Sequence, residues 1–328
     1  MSASGEIRLI SIVLPVYNER DNLENLHNEI QKAISSLPYD FEIIYVDDGS
    51  NDGSFDILQK IAQKDKRVKI IRFKRNFGQT SAIKAGFDFS RGEIIITMDS
   101  DGQNDPADIP KILEKLFAEN LDIVSGWRKE RKDNIVRVIP SKFANLIISF
   151  VSGVKLHDYG CTLKAYRREI VKNLELFGDM HRFIPAFAGW FGAKVGEVVV
   201  NHRPRTKGKS KYKVIPRVFR TFIDIFFLKF FMSFQTKPMR FFGSSGIALI
   251  FISLLLAGLT LYQKYYLGVW VHRNPLLLIA IFFFLTGFQL ITTGIISEFL
   301  VRIYFFSSQR PPYFVEKVIY GDEENRSS

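Results

Sequence analysis

Two long uncharged apolar stretches near the C-terminus constrain this chain more than any other feature of its sequence. Residues 241–263 contain no charged side chain, and neither do residues 274–297. At a rise of about 1.5 Å per residue, each stretch is roughly 35 Å long as a helix, enough for a hydrocarbon core of about 30 Å. A pair of buried core helices is the alternative, but globular helices are rarely so long and so apolar. The sequence predicts two membrane spans, at about 241–263 and 275–300, within residues 240–306.

The orientation of these spans is predicted mainly from the N-terminal part of the chain. Lys and Arg flank both spans and also lie in the loop between them, so the contrast in positive charge is weak. Residues 1–9 are polar and do not resemble a signal peptide. We therefore expect an integral protein of the cytoplasmic (inner) membrane whose N-terminal domain, residues 1–212, faces the cytoplasm.

Residues 213–239 have the pattern of helices that lie in a membrane interface. Lys213, Arg217, Arg220 and Asp224 fall within about 60° of one another on a helix, and phenylalanines occupy much of the remaining surface. A helix packed on the soluble domain is the alternative, and the position of Lys229 off the charged stripe favours it. After the spans, residues 307–328 read as a cytoplasmic tail with a possible short strand between positions 313 and 320.

Composition excludes several kinds of site. The chain has 45 Lys plus Arg against 34 Asp plus Glu, a net charge of +11, and 47% hydrophobic residues, so it is not a disordered protein. Its single cysteine, Cys161, excludes an internal disulfide and a cysteine-based zinc or iron–sulfur site. We expect no nucleic-acid partner.

The first 212 residues alternate between apolar runs and amphipathic stretches. The apolar runs are residues 9–14, 41–46, 68–73, 93–98 and 121–124, and the amphipathic stretches include residues 21–37, 54–62 and 109–119. This alternation predicts an α/β domain with a mainly parallel sheet and helices on both faces. Ligands of such domains bind at the carboxyl ends of the strands.

Polar clusters follow three of these predicted strands. They are PVYNE at 15–19, DDGS at 47–50 and DSDGQNDP at 99–106. Neither GxGxxG nor GxxxxGK[ST] occurs, which is evidence against a dinucleotide-binding fold and a P-loop NTPase. Asp99 and Asp101 could share a hard divalent cation. A capped turn is the alternative for DSD alone, but the three clusters together favour a ligand site.

The motifs VPVYNE, VDDGSNDGS, MDSDGQNDP and HDYGCTLKAYRR, in that order, resemble family-2 glycosyltransferases with the Rossmann-like GT-A fold. The resemblance is strongest to polyprenyl-phosphate glycosyltransferases, namely dolichyl-phosphate mannose synthases and bacterial GtrB-type glucosyltransferases. It implies metal-dependent transfer of a hexose from a nucleotide sugar to undecaprenyl or dolichyl phosphate in the membrane. Glucose from UDP-glucose is the preferred donor, with GDP-mannose and a UDP-N-acetylhexosamine as alternatives. A single displacement on an α-linked donor would give a β-linked product.

The resemblance also implies site residues on the donor side. The residues implied to bind the nucleotide sugar are Pro15, Tyr17, Glu19, Asp48, Asp99, Ser100 and Asp101. The residues implied to hold Mg²⁺ or Mn²⁺ are Asp99, Asp101 and Gln103. Ser100 and Gly102 replace the alanine and leucine that are commoner in the family, which leaves the three ligand positions intact.

A second set is implied on the acceptor side and for catalysis. The residues implied to contact the lipid phosphate are Arg128, Arg137 and Ser141. The residues implied to be catalytic are Asp158, Asp101, Arg205 and Lys211. Arg205 and Lys211 lie in a basic loop implied to close over the phosphates, for which a solvated linker near anionic lipid is the alternative. His181 resembles a residue near the acceptor cleft or is a packed histidine.

The chemistry assigns these groups complementary tasks. Negative charge builds on the diphosphate leaving group, and a divalent cation with nearby Arg and Lys stabilises it. A phosphate monoester has a second pKa near 6, so the acceptor is already largely anionic at neutral pH. We therefore expect Asp158 to matter at least as much for orientation and electrostatics as for proton removal.

Two other functions compete with this interpretation. A processive polysaccharide synthase shares the nucleotide motifs, but this chain lacks the Q-x-x-R-W motif and two spans are few for a polymer channel. A nucleotide-sugar-binding membrane scaffold is the alternative that is not an enzyme. Glycines within the predicted spans could pack against another copy, so we expect a homo-oligomer, a dimer or a tetramer.

Overall fold

In the computed structural model, the chain forms two compact units. The first is Met1–Phe226 together with Pro311–Ser328, and the second is Phe227–Arg310. The structure describes residues 8–129, 145, 148, 149, 152–172, 174, 176, 180–190, 192–204, 238–271, 274–307 and 315–320. The predicted interfacial helices at 213–239 lie almost entirely outside these ranges.

A mixed sheet forms the centre of the first unit. Its strands are β1 (Leu9–Val16), β2 (Asp40–Asp47), β3 (Val68–Phe73), β4 (Ile94–Thr97), β5 (Ile123–Trp127), β6 (Lys164–Arg167), β7 (Val195–Val199) and β8 (Val315–Tyr320). Their order across the sheet is β7-β5-β6-β4-β1-β2-β3-β8. β1 is parallel to β2 and β4, β2 to β3, and β5 to β7, whereas β6 and β8 are antiparallel to their neighbours. Most of these pairings are parallel, as the alternation in the sequence predicts.

Helices connect the strands of this sheet. They are α1 (Leu23–Ile34), α2 (Ser54–Lys64), α3 (Gln79–Phe89), α4 (Ile109–Ala118), α5 (Arg168–Lys172) and α6 (Ile184–Trp190), with 3₁₀ turns at Pro106–Asp108 and Met180–Phe183. α1, α2 and α4 each bury one apolar stripe, as their sequence periodicity predicts. α3 was not predicted, because eight of its eleven residues are buried and it presents little polar surface.

The last strand follows the two long helices in the sequence. β8 pairs antiparallel with β3, with Tyr320 opposite Lys69 and Val315 opposite Phe73. The sequence allows a strand in this region but does not predict its partner. β8 covers the edge of β3 and becomes the edge strand of the sheet in its place. The chain therefore leaves the first unit before the helical pair and rejoins it afterwards.

Two long helices make up the described part of the second unit. They are α7 (Pro238–Leu267) and α8 (Pro275–Ser307), and Met239–Leu267 and Pro275–Leu300 are long and apolar enough to cross a membrane. They pack closely at two glycines, where a Cβ on Gly246 would lie 2.6 Å from the Gly287 carbonyl oxygen. Most of their large apolar side chains are exposed, as expected of helices that face lipid rather than a protein core.

Candidate active site

The loops that follow β1 and β2 are bound to each other by hydrogen bonds. The Asn18 N–H donates to Ser50 Oγ (2.9 Å), and the Asn51 N–H donates in return to Asn18 Oδ1 (3.0 Å). The Glu19 N–H donates to Ser54 Oγ (3.0 Å). Asn18 adopts a left-handed backbone, φ 54°, which asparagine tolerates better than most residues. Two of the three predicted polar clusters thus lie together at the carboxyl end of the sheet.

Asp48, a predicted nucleotide ligand, is buried beneath these loops. Its two carboxylate oxygens accept hydrogen bonds from the Phe77 N–H (2.6 Å) and the Gly78 N–H (2.9 Å). Burial raises the pKa of Asp48 to about 6, and the two N–H donors oppose that rise. Gly49 beside it has φ +70°, and a Cβ there would lie 2.5 Å from the Arg75 carbonyl carbon. Only glycine allows this approach of the two loops.

The third polar cluster is the loop after β4. The Ser100 hydroxyl donates to the Pro15 carbonyl (2.8 Å), which joins this loop to the one after β1. Asp99 Oδ1 accepts from Gln79 Nε2 (2.7 Å), and Asp101 Oδ1 accepts from the Gln103 N–H (3.1 Å). The neighbouring Tyr17 side chain remains 36% exposed. The donor-side residues predicted from the sequence therefore share one rim.

The Asp99 and Asp101 carboxylates suit a divalent cation. Burial and, after it, the charge of Asp101 raise the pKa of Asp99 to about 6, against the opposing effects of Thr162, Arg128 and Lys164. A cation between two mutually repelling carboxylates would relieve that repulsion, and hard cations prefer such oxygens. The described residues contain no cluster of three or more His, Cys, Asp or Glu that could hold a metal alone. A metal here would take its other ligands from substrate phosphates, water or the predicted Gln103.

Arg128 and Asp158, two further predicted site residues, meet at the same edge of the sheet. Arg128 follows β5 and Asp158 precedes β6, so the antiparallel pairing of these strands brings them together. Arg128 Nε donates to Asp158 Oδ2 (2.7 Å) and Arg128 Nη2 donates to Asp158 Oδ1 (3.0 Å). Only 14% of the Arg128 side chain and 3% of the Asp158 side chain are exposed. Burial lowers the pKa of Arg128, but the bonds to Asp158 and the negative charges nearby together raise it above its ordinary value.

The segment around this ion pair is closely packed. The Gly160 N–H donates to Asp158 Oδ1 (3.1 Å). A Cβ on Gly126, within β5, would lie 2.9 Å from the sulfur of Cys161 and 3.0 Å from the Leu163 carbonyl oxygen. Cys161 is fully buried, as predicted for a small core residue. The position of Arg128 therefore depends on a glycine two residues earlier in the chain.

Sequence reasoning missed the buried Lys164. Its ammonium donates to the carbonyls of Tyr159 (3.1 Å) and Cys161. Burial lowers the pKa of Lys164 to about 8. A lysine six residues after Asp158, within the HDYGCTLKAYRR motif, is the signal that could have revealed it.

Two histidines have different environments. His157 is exposed, stacks on Trp127 with ring centroids 4.2 Å apart, and pairs with Glu197. His181 is buried, and its Nδ1 shares a 2.7 Å hydrogen bond with Thr80 Oγ1. This environment fits the packed histidine considered from the sequence.

Four predicted site residues lie outside the described part of the chain. They are Arg137, Ser141, Arg205 and Lys211, and their roles stay predictions. The described segment nearest to Arg205 is anchored at the rim, because the Arg203 N–H donates to the Gln103 carbonyl (3.0 Å). The Arg203 side chain pairs with Asp105 and Glu29, each at 2.6 Å.

The family model described as Glycosyl transferase family 2 matches residues 11–175. These residues span the polar clusters and the Arg128–Asp158 pair. The chain belongs to glycosyltransferase family 2. It is therefore a glycosyltransferase, and the predicted family and enzyme class are confirmed.

Relatives of this family-2 enzyme match over nearly the whole chain. A dodecaprenyl-phosphate galacturonate synthase of Rhizobium johnstonii is 41% identical over 313 residues, covering 94% of this chain and 92% of the relative. An undecaprenyl-phosphate 4-deoxy-4-formamido-L-arabinose transferase of Pseudomonas syringae pv. syringae is 37% identical over 315 residues, covering 95% and 91%. Both matches are long enough to include most of α7 and α8 as well as the catalytic unit.

Solved structures agree with the fold of the catalytic unit. Glucosyl-3-phosphoglycerate synthase from Mycobacterium tuberculosis, in complex with Mn²⁺ and UDP-glucose, superposes with a TM-score of 0.52 at 19% identity. The match covers 68% of this chain and 79% of that one. The GT-A fold is thereby confirmed.

Proposed function

We propose that this glycosyltransferase transfers a sugar from a nucleotide-sugar donor to a polyprenyl phosphate in a membrane. The observation that carries the proposal is the extent of the two relatives' matches. Both relatives are named for polyprenyl-phosphate chemistry, and both match more than nine-tenths of this chain, helices included. A polyprenyl tail is soluble in a bilayer, so an enzyme acting on its phosphate needs residence at the membrane surface, which α7 and α8 would provide.

The sugar we propose to test first is galacturonate, supplied as UDP-galacturonate. The relative with 41% identity is named for galacturonate, and the Pseudomonas relative for 4-deoxy-4-formamido-L-arabinose. Neither name supports the glucose predicted from the sequence. The mycobacterial structure contains UDP-glucose, but at 19% identity it is evidence for the fold and not for the sugar. UDP-glucose and GDP-mannose are therefore tested beside UDP-galacturonate as alternative donors.

The donor would lie over the loops that follow β1, β2 and β4. Pro15, Tyr17 and Glu19 border this rim, and Asp48 supports it from below through the Phe77 and Gly78 amides. A divalent cation, Mg²⁺ or Mn²⁺, held by Asp99 and Asp101 would neutralise charge on the diphosphate as it leaves. Ser100 keeps this loop against the β1 loop through the Pro15 carbonyl.

The acceptor phosphate would approach from the side of Arg128 and Asp158. Asp158 holds the guanidinium of Arg128 by two bonds, so Arg128 presents a fixed positive charge close to Asp99. The acceptor oxygen is already anionic, so it can attack the sugar without losing a proton to Asp158. Attack opposite the leaving diphosphate inverts the anomeric carbon. Arg137, Ser141, Arg205 and Lys211 are proposed to complete the phosphate contacts.

The strand β8 supports the proposed topology. β1 and β8 belong to one sheet, although α7 and α8 lie between them in the chain. If both helices span the bilayer, the catalytic unit and the C-terminal strand lie on the same side, which we propose to be the cytoplasmic side of the inner membrane. A homo-oligomer remains a prediction.

A transfer assay with a donor panel tests the proposal. Purified protein in detergent is incubated with undecaprenyl phosphate, Mn²⁺ or Mg²⁺, and radiolabelled UDP-galacturonate, UDP-glucose, a UDP-N-acetylhexosamine or GDP-mannose. We expect label in the organic extract from one donor, and at least about 100-fold less with the Asp101→Ala variant. Label released only as water-soluble sugar would refute polyprenyl phosphate as the acceptor. Transfer from UDP-glucose alone would refute galacturonate as the sugar.

A further inference from the structure

Asn104 lies at the junction of three segments of the active site. Its side-chain oxygen accepts hydrogen bonds from the Asp99 N–H (3.1 Å) and from the Thr162 hydroxyl (2.9 Å). Its backbone forms an antiparallel bridge with His202. The residue is only 4% exposed. Both lone pairs of the Asn104 side-chain oxygen thus accept hydrogen bonds, one from its own loop and one from Thr162, 58 residues later in the sequence.

Two of the three segments that meet at Asn104 carry groups of the proposed reaction. The loop after β4 carries Asp99 and Asp101. Thr162 lies in the segment that also carries Asp158, and its carbonyl accepts from Thr97 Oγ1 (2.7 Å), which fixes it to β4. His202 belongs to the segment after β7, where the Arg203 N–H donates to the Gln103 carbonyl (3.0 Å). That segment leads toward the predicted basic loop.

The physical demand on this position is strict. A buried N–H or hydroxyl without an acceptor is costly, so loss of the Asn104 oxygen would drive the Asp99 and Thr162 loops to new positions. A shift of about 1 Å in a reacting group can cost about 100-fold in rate. Groups that orient metal ligands typically affect metal affinity or activity by about 10- to 100-fold when they are removed.

We propose that Asn104 is a positioning residue that sets the metal-binding carboxylates of the donor side against the Arg128–Asp158 pair of the acceptor side. The inference rests on the proposed function, because it assumes that both sides act on one transfer. Asn104 contacts neither reacting group in this account and acts through Asp99, Thr162 and His202.

Four variants of the full-length protein separate positioning from simple support of the fold. Asn104→Ala removes the acceptor oxygen, whereas Asn104→Asp retains an oxygen for both donors. Thr162→Val removes one donor and keeps the shape, whereas Thr162→Ser retains the hydroxyl. Far-ultraviolet circular dichroism and the apparent Tm in detergent verify that each variant folds.

Two readouts are independent of turnover. Electron paramagnetic resonance of free Mn²⁺, in the presence of UDP, gives the Mn²⁺ affinity, and hydrogen exchange reports the 99–104 and 201–204 backbone. We expect Asn104→Ala to weaken Mn²⁺ binding by about 10- to 100-fold and to speed exchange in both segments. Asn104→Asp should retain slow exchange. Thr162→Ser should recover most of the transfer lost in Thr162→Val.

The transfer rates then test whether the two residues act through one bond. We expect the double variant Asn104→Ala/Thr162→Val to lose less than the product of the two single losses. Two results would overturn the inference while the wild type still transfers sugar. One is that the losses in the double variant multiply. The other is that Asn104→Ala has the same Mn²⁺ affinity and the same hydrogen exchange as the wild type. A wild type that neither binds Mn²⁺ with UDP nor transfers sugar would instead refute the proposed function, and the inference with it.

Discussion

Arg128 and Asp158 form a buried two-bond ion pair, with Nε–Oδ2 and Nη2–Oδ1 separations of 2.7 and 3.0 Å. Two backbone donors, the Gly160 N–H (3.1 Å) and the Arg128 N–H (3.4 Å), also reach Asp158. Four donors from its own chain thus fix the position of the Asp158 carboxylate. In this structure, Asp158 holds Arg128 in place, and its orienting and electrostatic role in the reaction stays a prediction.

The first prediction concerns this pair. Asp158→Asn leaves Arg128 buried without its counter-charge, and breaking a buried pair in this way typically costs about 3–5 kcal/mol. We expect transfer to fall by at least about 100-fold while the Kd for UDP stays within about threefold, measured by transfer kinetics and calorimetry. Glu119→Gln, which removes an exposed partner of Lys115, is the matched control and should change neither. A large loss of UDP affinity in Asp158→Asn would place Asp158 on the donor side.

The second prediction concerns Asp101. Asp101→Ala removes one of the two carboxylates proposed to hold the divalent cation, and loss of such electrostatic stabilisation costs about 10²–10³-fold in rate. Transfer should fall by that factor, and raising Mn²⁺ should recover part of it, as measured by titrating Mn²⁺ against rate. Rates and Mn²⁺ dependence equal to those of the wild type would exclude a metal role for Asp101.

The third prediction is a pH dependence of stability through Asp48. The pKa of Asp48 in the folded protein, about 6, exceeds the ordinary value of 3.8. Between pH 4 and pH 6 the folded protein therefore binds a proton that the unfolded chain has lost. The buried Asp48 carboxylate lowers the free energy of unfolding above pH 6, and this free energy rises as the pH falls through 6 toward 4. From pH 7.5 to 5.0 this gain is about 1.4 kcal/mol.

Comparison with Asp48→Asn isolates that titration. The variant has no carboxyl at this position, so the difference in apparent Tm between the two proteins should shift in favour of the wild type as the pH falls from 7.5 to 5.0. Thermal denaturation in one detergent at several pH values measures it. A difference that is constant with pH, or that shifts toward the variant, contradicts the raised pKa.

The fourth prediction concerns the C-terminal strand. A chain that stops after residue 314 lacks β8 and exposes the edge of β3, which is a site for aggregation. A chain that stops after Tyr320 keeps the pairing and is the matched control. We expect the shorter chain to lose several degrees of apparent Tm, roughly what 1 to 2 kcal/mol produces in a protein of this size, and to aggregate in size-exclusion chromatography. Equal behaviour of the two chains would show that β8 is dispensable.

Much of the catalytic fold could be predicted because its sequence signals are local. β3 was predicted with its exact limits at residues 68–73, and the apolar runs for β1, β2, β4 and β5 each lie within or overlap the observed strand. The partners of β6 and β8 could not be predicted, since antiparallel pairing across long sequence separations leaves no local pattern. α3 was missed because a helix buried on most sides lacks the polar face that reveals a helical period.

The candidate site was likewise predictable only where its sequence signals are local. Loops that carry Asp48, Asp99 and Asp101 have recognisable motifs and lie at the expected edge. The roles of Asn104 and Lys164 could not be read, because each depends on partners from distant segments, such as Thr162 for Asn104 and the Tyr159 carbonyl for Lys164. Burial of Asp48 and the pairing of Asp158 with Arg128 likewise became evident only in the folded chain.

The most direct test of the central claim follows the acceptor phosphate itself. Undecaprenyl phosphate labelled with ³²P is incubated with the enzyme, Mn²⁺ and unlabelled UDP-galacturonate, and the lipid product is then treated with a phosphatase. If the sugar is transferred to the lipid phosphate, the label becomes a phosphodiester that resists phosphatase and stays in the organic phase. Label that the phosphatase still releases in full, under conditions where the donor is consumed, would contradict transfer to a polyprenyl phosphate.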